Sequence, residues 1–223
     1  AGQKIRFIVP SGNMGDALAG YVAARCGLLP GGLEIICAVN ENDALMRLFT
    51  TGVMSRRPTV ATPSPAMDIS IPSNFERLLF EMSGRDSDAV RSVYDRFAQS
   101  GEADLPDAAT SRLSCSGIRA ISVSNGDTME EMRRFERETG WLICPHTAVG
   151  THVARNTAAD DGVTTVVLAT ASPAKFPETV REATGRDAGL PDHASDVLAA
   201  SEIFERIEPS LGAVHERVGK LAR

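Results

Sequence analysis

The tightest constraint on the fold lies in residues 7 to 16, Phe-Ile-Val-Pro-Ser-Gly-Asn-Met-Gly-Asp. The apolar run Phe7-Ile8-Val9 closes at Pro10, a turn of small residues follows, and Leu18, Tyr21, Val22 and Leu28 then recur at helical spacing. The stretch therefore predicts strand, tight loop and helix. Gly12 and Gly15 have no Cβ and admit close backbone approach, while the amides at the head of the helix have no intrahelical acceptor. Such amides bind anions. With Ser11 and Asn13 as side-chain donors and the positive end of the helix dipole behind them, a phosphate monoester is the natural guest. The same two glycines serve equally in an ordinary capped turn, and GxxG is neither a Rossmann nor a Walker fingerprint.

The alternation continues down the chain. Leu33 to Val39 reads as a buried strand, followed by a helix that Asn42 or Asp43 can cap, with Leu45, Leu48 and Phe49 on its apolar face and Gly52 at its end. Pro58, Pro63, Pro65 and Pro72 exclude regular structure from residues 53 to 72 and predict a long loop between lobes. Ser73 is placed to cap a short helix through Phe75, Leu78, Leu79 and Met82, and a second helix runs through Val90, Val93, Tyr94 and Phe97. Residues 101 to 117 read as a connection. Ile118 to Val123 form a strand, Asp127 caps a helix from Thr128 to Thr139 that Gly140 stops, and another helix spans about 147 to 159. Thr164 to Ala169 form a strand, and Pro173 opens the helix behind it. Strands separated by helices mean an α/β fold, a parallel sheet with helices on both faces. Residues 195–223 read as a peripheral helical tail on a single domain, 1–223.

Composition narrows the function. With 223 residues, 43% of them hydrophobic, the chain can bury a substantial core. Its net charge of −6 argues against general affinity for nucleic acid or an anionic membrane. Cys26, Cys37, Cys115 and Cys144 lack CxxC spacing, which points to reduced thiols, and His146 with His152 has no third ligand nearby, so no metal is expected. Neither a signal peptide nor a membrane-length apolar run is present, and a cytoplasmic location is expected.

The motifs carry a resemblance. PSGNMGD resembles the phosphate-cradling PSGNFGD segment of threonine synthase, and five further blocks follow in family order. They are Asn40-Glu41-Asn42-Asp43 with Arg47 and Phe49, Ser64 to Ile69, Ser73 to Phe80, Pro145 to Gly150, and Leu168 to Phe176. The resemblance runs from about residue 5 to about residue 185 and implies the C-terminal portion of a fold-type II, tryptophan synthase β-like enzyme that depends on pyridoxal 5'-phosphate. It implies that Gly12, Asn13, Met14, Gly15 and Asp16 surround the cofactor phosphate and that Thr170 hydrogen-bonds the pyridine nitrogen. Met14 stands where the family often has Phe, and Ser172 where TAHPAKF has His. The implied substrate is O-phospho-L-homoserine, converted with water to L-threonine and phosphate.

The Schiff-base lysine of the family lies in an SFKD-like segment absent here, so no catalytic residue is expected in this chain, and the N-terminal half of the enzyme is its expected partner. Lys4, Lys175 and Lys220 do not occupy that place. Read singly, Asp16 suits a helix cap, Arg77 a salt bridge, His146 a capping or packing role, and Lys175 a positive group near a helix start. Two other readings stand beside the first: a threonine-synthase-like phospholyase, and a noncatalytic phosphate-binding or interaction module.

Overall fold

Strands β1 (Ile5–Pro10) and β2 (Leu33–Val39) form the centre of a four-stranded parallel sheet in the computed structural model, which describes residues 4–29, 31–157, 162–194, 196 and 199–221. Helices α1 (Gly15–Arg25) and α2 (Ala44–Thr51) follow them. A two-stranded antiparallel ribbon, β3 (Val53–Ser55) with β4 (Glu102–Asp104), encloses α3 (Phe75–Met82) and α4 (Ser87–Ser100), and α5 (Asp107–Ser114) leads to β5 (Ile118–Ser122). The chain continues through α6 (Asn125–Thr139) and α7 (Pro145–Thr157) to β6 (Thr164–Val167) and α8 (Pro177–Thr184). The sheet order is β5-β2-β1-β6. Residues 189–223, including α9 (Leu211–Leu221), form a second compact unit.

Side chains on the central strands divide by parity, as the pleat requires. Val9, Ile35, Cys37 and Val39 face the cluster built with α1 to α5, whereas Ile8, Ile36 and Ala38 face Val149 and Val153 of α7. Both faces are therefore covered, which is why β2 is apolar throughout its second half. Burying a side chain such as Ile36 contributes about 1.5–3 kcal/mol. Gly150 lets α7 come close: a Cβ there would lie 2.8 Å from Val167 Cγ1 and 3.1 Å from Pro10 Cγ.

At the amino-terminal end of the sheet Glu34 receives Arg6 (3.1 Å), Lys4 (3.3 Å) and Arg119 (3.5 Å). Desolvation alone would raise the Glu34 pKa, but the hydrogen bonds and charges of Arg6 and Lys4 outweigh it and hold the carboxyl below its ordinary range.

Several local expectations are corrected. Residues 53–55 and 102–104 lie in the antiparallel ribbon, Pro65–Met67 forms a 3-10 turn, and α5 occupies much of what reads as a connection. Asp43 precedes α2 but makes no capping bond and instead accepts from Arg47 Nε at 2.7 Å. Ser124 rather than Asp127 caps α6, its Oγ accepting the Asp127 N–H at 3.1 Å. Strand β6 ends at Val167, and of the 195–223 tail α9 covers only Leu211–Leu221, with residues 195, 197–198 and 222–223 outside the described residues. No helix among the described residues is long and apolar enough to cross a membrane, and none of them cluster as three or more metal-ligating side chains.

Candidate functional site

The carboxyl ends of β1 and β6 lie side by side, and parallel sheets gather ligands at that edge. Ile8 is in register with Val167, and the Leu168 N–H donates to the Ile8 carbonyl at 3.0 Å. Thr170, two residues after Leu168 at the same edge of the sheet, is exposed. Its hydroxyl makes no hydrogen bond among the described residues.

That turn is a nest of amides. Ser11 N–H is taken by the Ala38 carbonyl at 2.8 Å, and the helical ladder begins with Leu18 N–H to the Met14 carbonyl at 3.0 Å. Between them, no described residue accepts a hydrogen bond from the N–H groups of Gly12, Asn13, Met14, Gly15, Asp16 or Ala17. Met14 sits in the left-handed region, φ 64° and ψ 22°, a conformation that occurs in backbone nests that bind anions. Its side chain is 1% exposed and anchors the turn in the core under α1, so Met14 offers an amide rather than a wall. The eleven-residue helix α1 adds the positive end of its dipole.

The turn is held from outside. Asn13 Oδ1 accepts from Ser73 N–H (3.2 Å) and Ser73 Oγ (3.1 Å), and the Asn13 carbonyl accepts from Asn74 N–H (3.2 Å). Ser73 therefore serves as a clamp on the turn, and Asn74, at the head of α3, makes no side-chain capping bond. Ser11 Oγ is buried and donates to the Val9 carbonyl at 2.9 Å, which removes it from the donors foreseen for an anion. Asp16 is exposed in the first turn of α1 and makes no capping bond, although its charge there complements the dipole. Arg77 bonds the Asn74 side-chain oxygen and no carboxylate among the described residues, which corrects the expected salt bridge.

Gly12 faces a wall formed by residues 66–69. A Cβ on Gly12 would stand 2.9 Å from Ile69 Cγ1, 3.0 Å from the Ala66 carbonyl oxygen and 3.0 Å from Met67 Cα. The wall is tied to α7, since the Ala66 N–H donates to His146 Nε2 at 3.2 Å. His146 is 3% exposed and packs on Phe176 at 4.6 Å between ring centroids. Burial lowers its pKa, with Asp68 opposing, so the imidazole is neutral and its proton sits on Nδ1. Ser172 caps the 3-10 turn Pro173–Lys175 by accepting the Ala174 N–H at 3.2 Å, and Lys175 is exposed.

Uncommitted N–H groups from Gly12 to Asp16, a side-chain-free approach at Gly12 and a helix dipole fit a phosphate monoester, whereas Ala17, 0% exposed, lies behind the turn. A cleft of about 820 Å³ between α1, α3 and α4 takes Ser73 into its lining, with three carboxylates, Glu76, Glu81 and Asp95, against two guanidinium groups, Arg77 and Arg91. Sequence reasoning missed the clamp by Ser73 and the wall held by His146; the signal was the concentration of Asn, Asp, Ser and Thr in blocks that flank strand ends.

A parallel α/β sheet with a glycine-containing turn of uncommitted amides at its carboxyl edge is an arrangement that fold-type II pyridoxal-phosphate enzymes share with other phosphate-binding α/β folds. Residues 147–218 match the family model "Threonine synthase, C-terminal". The chain is 37% identical over 201 residues to threonine synthase of Pseudomonas aeruginosa, covering 90% of this chain and 42% of that protein. It is 35% identical over 179 residues to human threonine synthase-like 2, covering 79% and 36%. Among solved structures, PLP-bound threonine synthase from Brucella melitensis superposes with a TM-score of 0.86 at 40% identity, over 99% of this chain and 47% of that one. The chain is similar to threonine synthases along most of its length and spans less than half the length of the relatives it matches.

Proposed function

We propose that this chain forms the cofactor-phosphate portion of a threonine synthase, a pyridoxal 5'-phosphate-dependent lyase that converts O-phospho-L-homoserine and water into L-threonine and phosphate. The observation that carries the reading is the run of uncommitted amides from Gly12 to Asp16. Gly12, Asn13, Met14, Gly15 and Asp16 hold the cofactor phosphate through their backbone N–H groups, and Thr170 offers its hydroxyl to the pyridine nitrogen. When bound, the cofactor supplies an electron sink for carbanionic charge at the substrate. A neutral hydroxyl at the ring nitrogen leaves that sink weaker than an aspartate would, which suits elimination and replacement chemistry better than transamination.

The lysine required to hold the cofactor comes from polypeptide outside this chain, in the N-terminal half that the relatives' greater length supports. Lys4 pairs with Glu34 at the opposite end of β1, and Lys220 pairs with Glu216 in the second unit. Lys175 lies in the block that follows Thr170, where the family does not place this lysine.

The test is product analysis with added pyridoxal phosphate and O-phospho-L-homoserine. The full-length protein should yield threonine and phosphate, and residues 1–223 alone should release none. Phosphate release by residues 1–223 would overturn the assignment of the lysine. The likeness to threonine synthase-like 2 supports a second reading, a phospholyase, for which the product would be a keto acid.

A further inference from the structure

A buried polar network decides where the wall facing Gly12 stands. Asn40, 1% exposed just after β2, donates from Nδ2 to Asp68 Oδ1 (2.8 Å), Thr62 Oγ1 (2.8 Å) and Ser64 Oγ (3.1 Å). Asp68 Oδ1 also receives Asn42 Nδ2 (3.0 Å) and Thr62 Oγ1 (2.6 Å), and Oδ2 receives the Thr62 N–H (3.1 Å). Asn40 is itself held, its Oδ1 accepting the Asn42 N–H at 2.9 Å and its carbonyl accepting from Ser122 Oγ at 2.9 Å.

One half-buried carboxylate thus gathers four neutral donors, and among the described residues no lysine or arginine pairs with it. A carboxylate without a countercharge is a demanding way to hold a loop, because each donor must keep its geometry to offset lost hydration. What the arrangement secures is position: Asp68 lies between Met67 and Ile69, two of the residues that press on Gly12.

We propose that Asp68, acting through the turn at residues 65–69, is a positioning residue that sets the width of the cradle and so its preference for a phosphorylated over an unphosphorylated pyridoxal. The inference rests on the cradle being the cofactor-phosphate site. Asp68 touches neither cofactor nor substrate in this scheme.

The full-length protein is titrated with pyridoxal phosphate and, separately, with pyridoxal, which has the ring and aldehyde but no phosphate. Asp68→Asn puts an amide where an acceptor is needed, and it should weaken pyridoxal phosphate binding about tenfold, the equivalent of roughly 1.4 kcal/mol, with pyridoxal binding unchanged. Thr62→Val removes one donor to Oδ1 and should give a smaller loss in the same direction; it is the variant that decides if Asp68→Asn does not fold. Equal losses for both ligands, or no change in either, would overturn the proposal, since a merely structural role would not separate them. A wild-type protein that failed to prefer pyridoxal phosphate over pyridoxal would instead overturn the reading of the cradle.

Discussion

Gly12 and Ala66 approach so closely that a methyl group on the first would stand 3.0 Å from the carbonyl oxygen of the second. The contact explains why a turn with an exposed mouth tolerates no side chain at this position. Gly12→Ala must push the Ala66–Ile69 segment outward, lowering stability by about 1–3 kcal/mol as overpacking does. Pyridoxal phosphate affinity should fall at least about tenfold through the displaced amides. Urea unfolding and cofactor titration measure the two effects separately.

Met14 combines a left-handed backbone with a buried side chain. Met14→Gly relieves roughly 1–2 kcal/mol of backbone strain but forfeits burial worth about 2–5 kcal/mol. A net destabilisation is expected in chemical denaturation, whereas a gain in stability would mean that the side chain does not anchor the turn.

His146 makes stability depend on pH. Its pKa in the folded protein lies below the ordinary value of 6.5 because burial penalises the imidazolium. The unfolded chain therefore takes up the proton first, and stability falls as pH drops below that value until the folded-state pKa is reached. Thermal melts from pH 7.5 to 5 should show a decline that His146→Gln flattens, with Gln keeping an acceptor for the Ala66 N–H.

Glu34 predicts the opposite of a site residue. Replacing it with Ala strips the carboxylate shared by Arg6, Lys4 and Arg119 and should lower stability by about 1–3 kcal/mol, the usual cost of removing a hydrogen-bond acceptor from a charged donor. Its lowered pKa means that this stability is present above the ordinary carboxylate range and is lost as pH falls through the folded value. Cofactor titration should be unaffected, because Glu34 lies at the amino-terminal end of the sheet.

Much of the architecture is legible in the sequence because apolar strands alternate with segments of helical period. Residues 33–39 and 118–122 show it, their run of β-branched and small apolar side chains matching strands that lie in the sheet. The ribbon of β3 and β4 is not legible: three-residue strands have no period, and their partners are separated by a long insertion. Helix starts mislead for another reason. Ser73 suits a cap and Asn13 an anion donor, and nothing local tells that they bond one another instead. The cradle's glycines are visible in the chain, but the roles of Asn40, Asp68 and His146 depend on contacts between distant segments that neither spacing nor residue type encodes.

The bonds from Ser73 to Asn13 span 60 positions. A peptide carrying only the opening strand and helix would retain every glycine yet lack the brace that orders them, and its amides would be spent on water. Grafting PSGNMGD onto another scaffold should fail for the same reason: recognition here belongs to the assembled domain and is not portable.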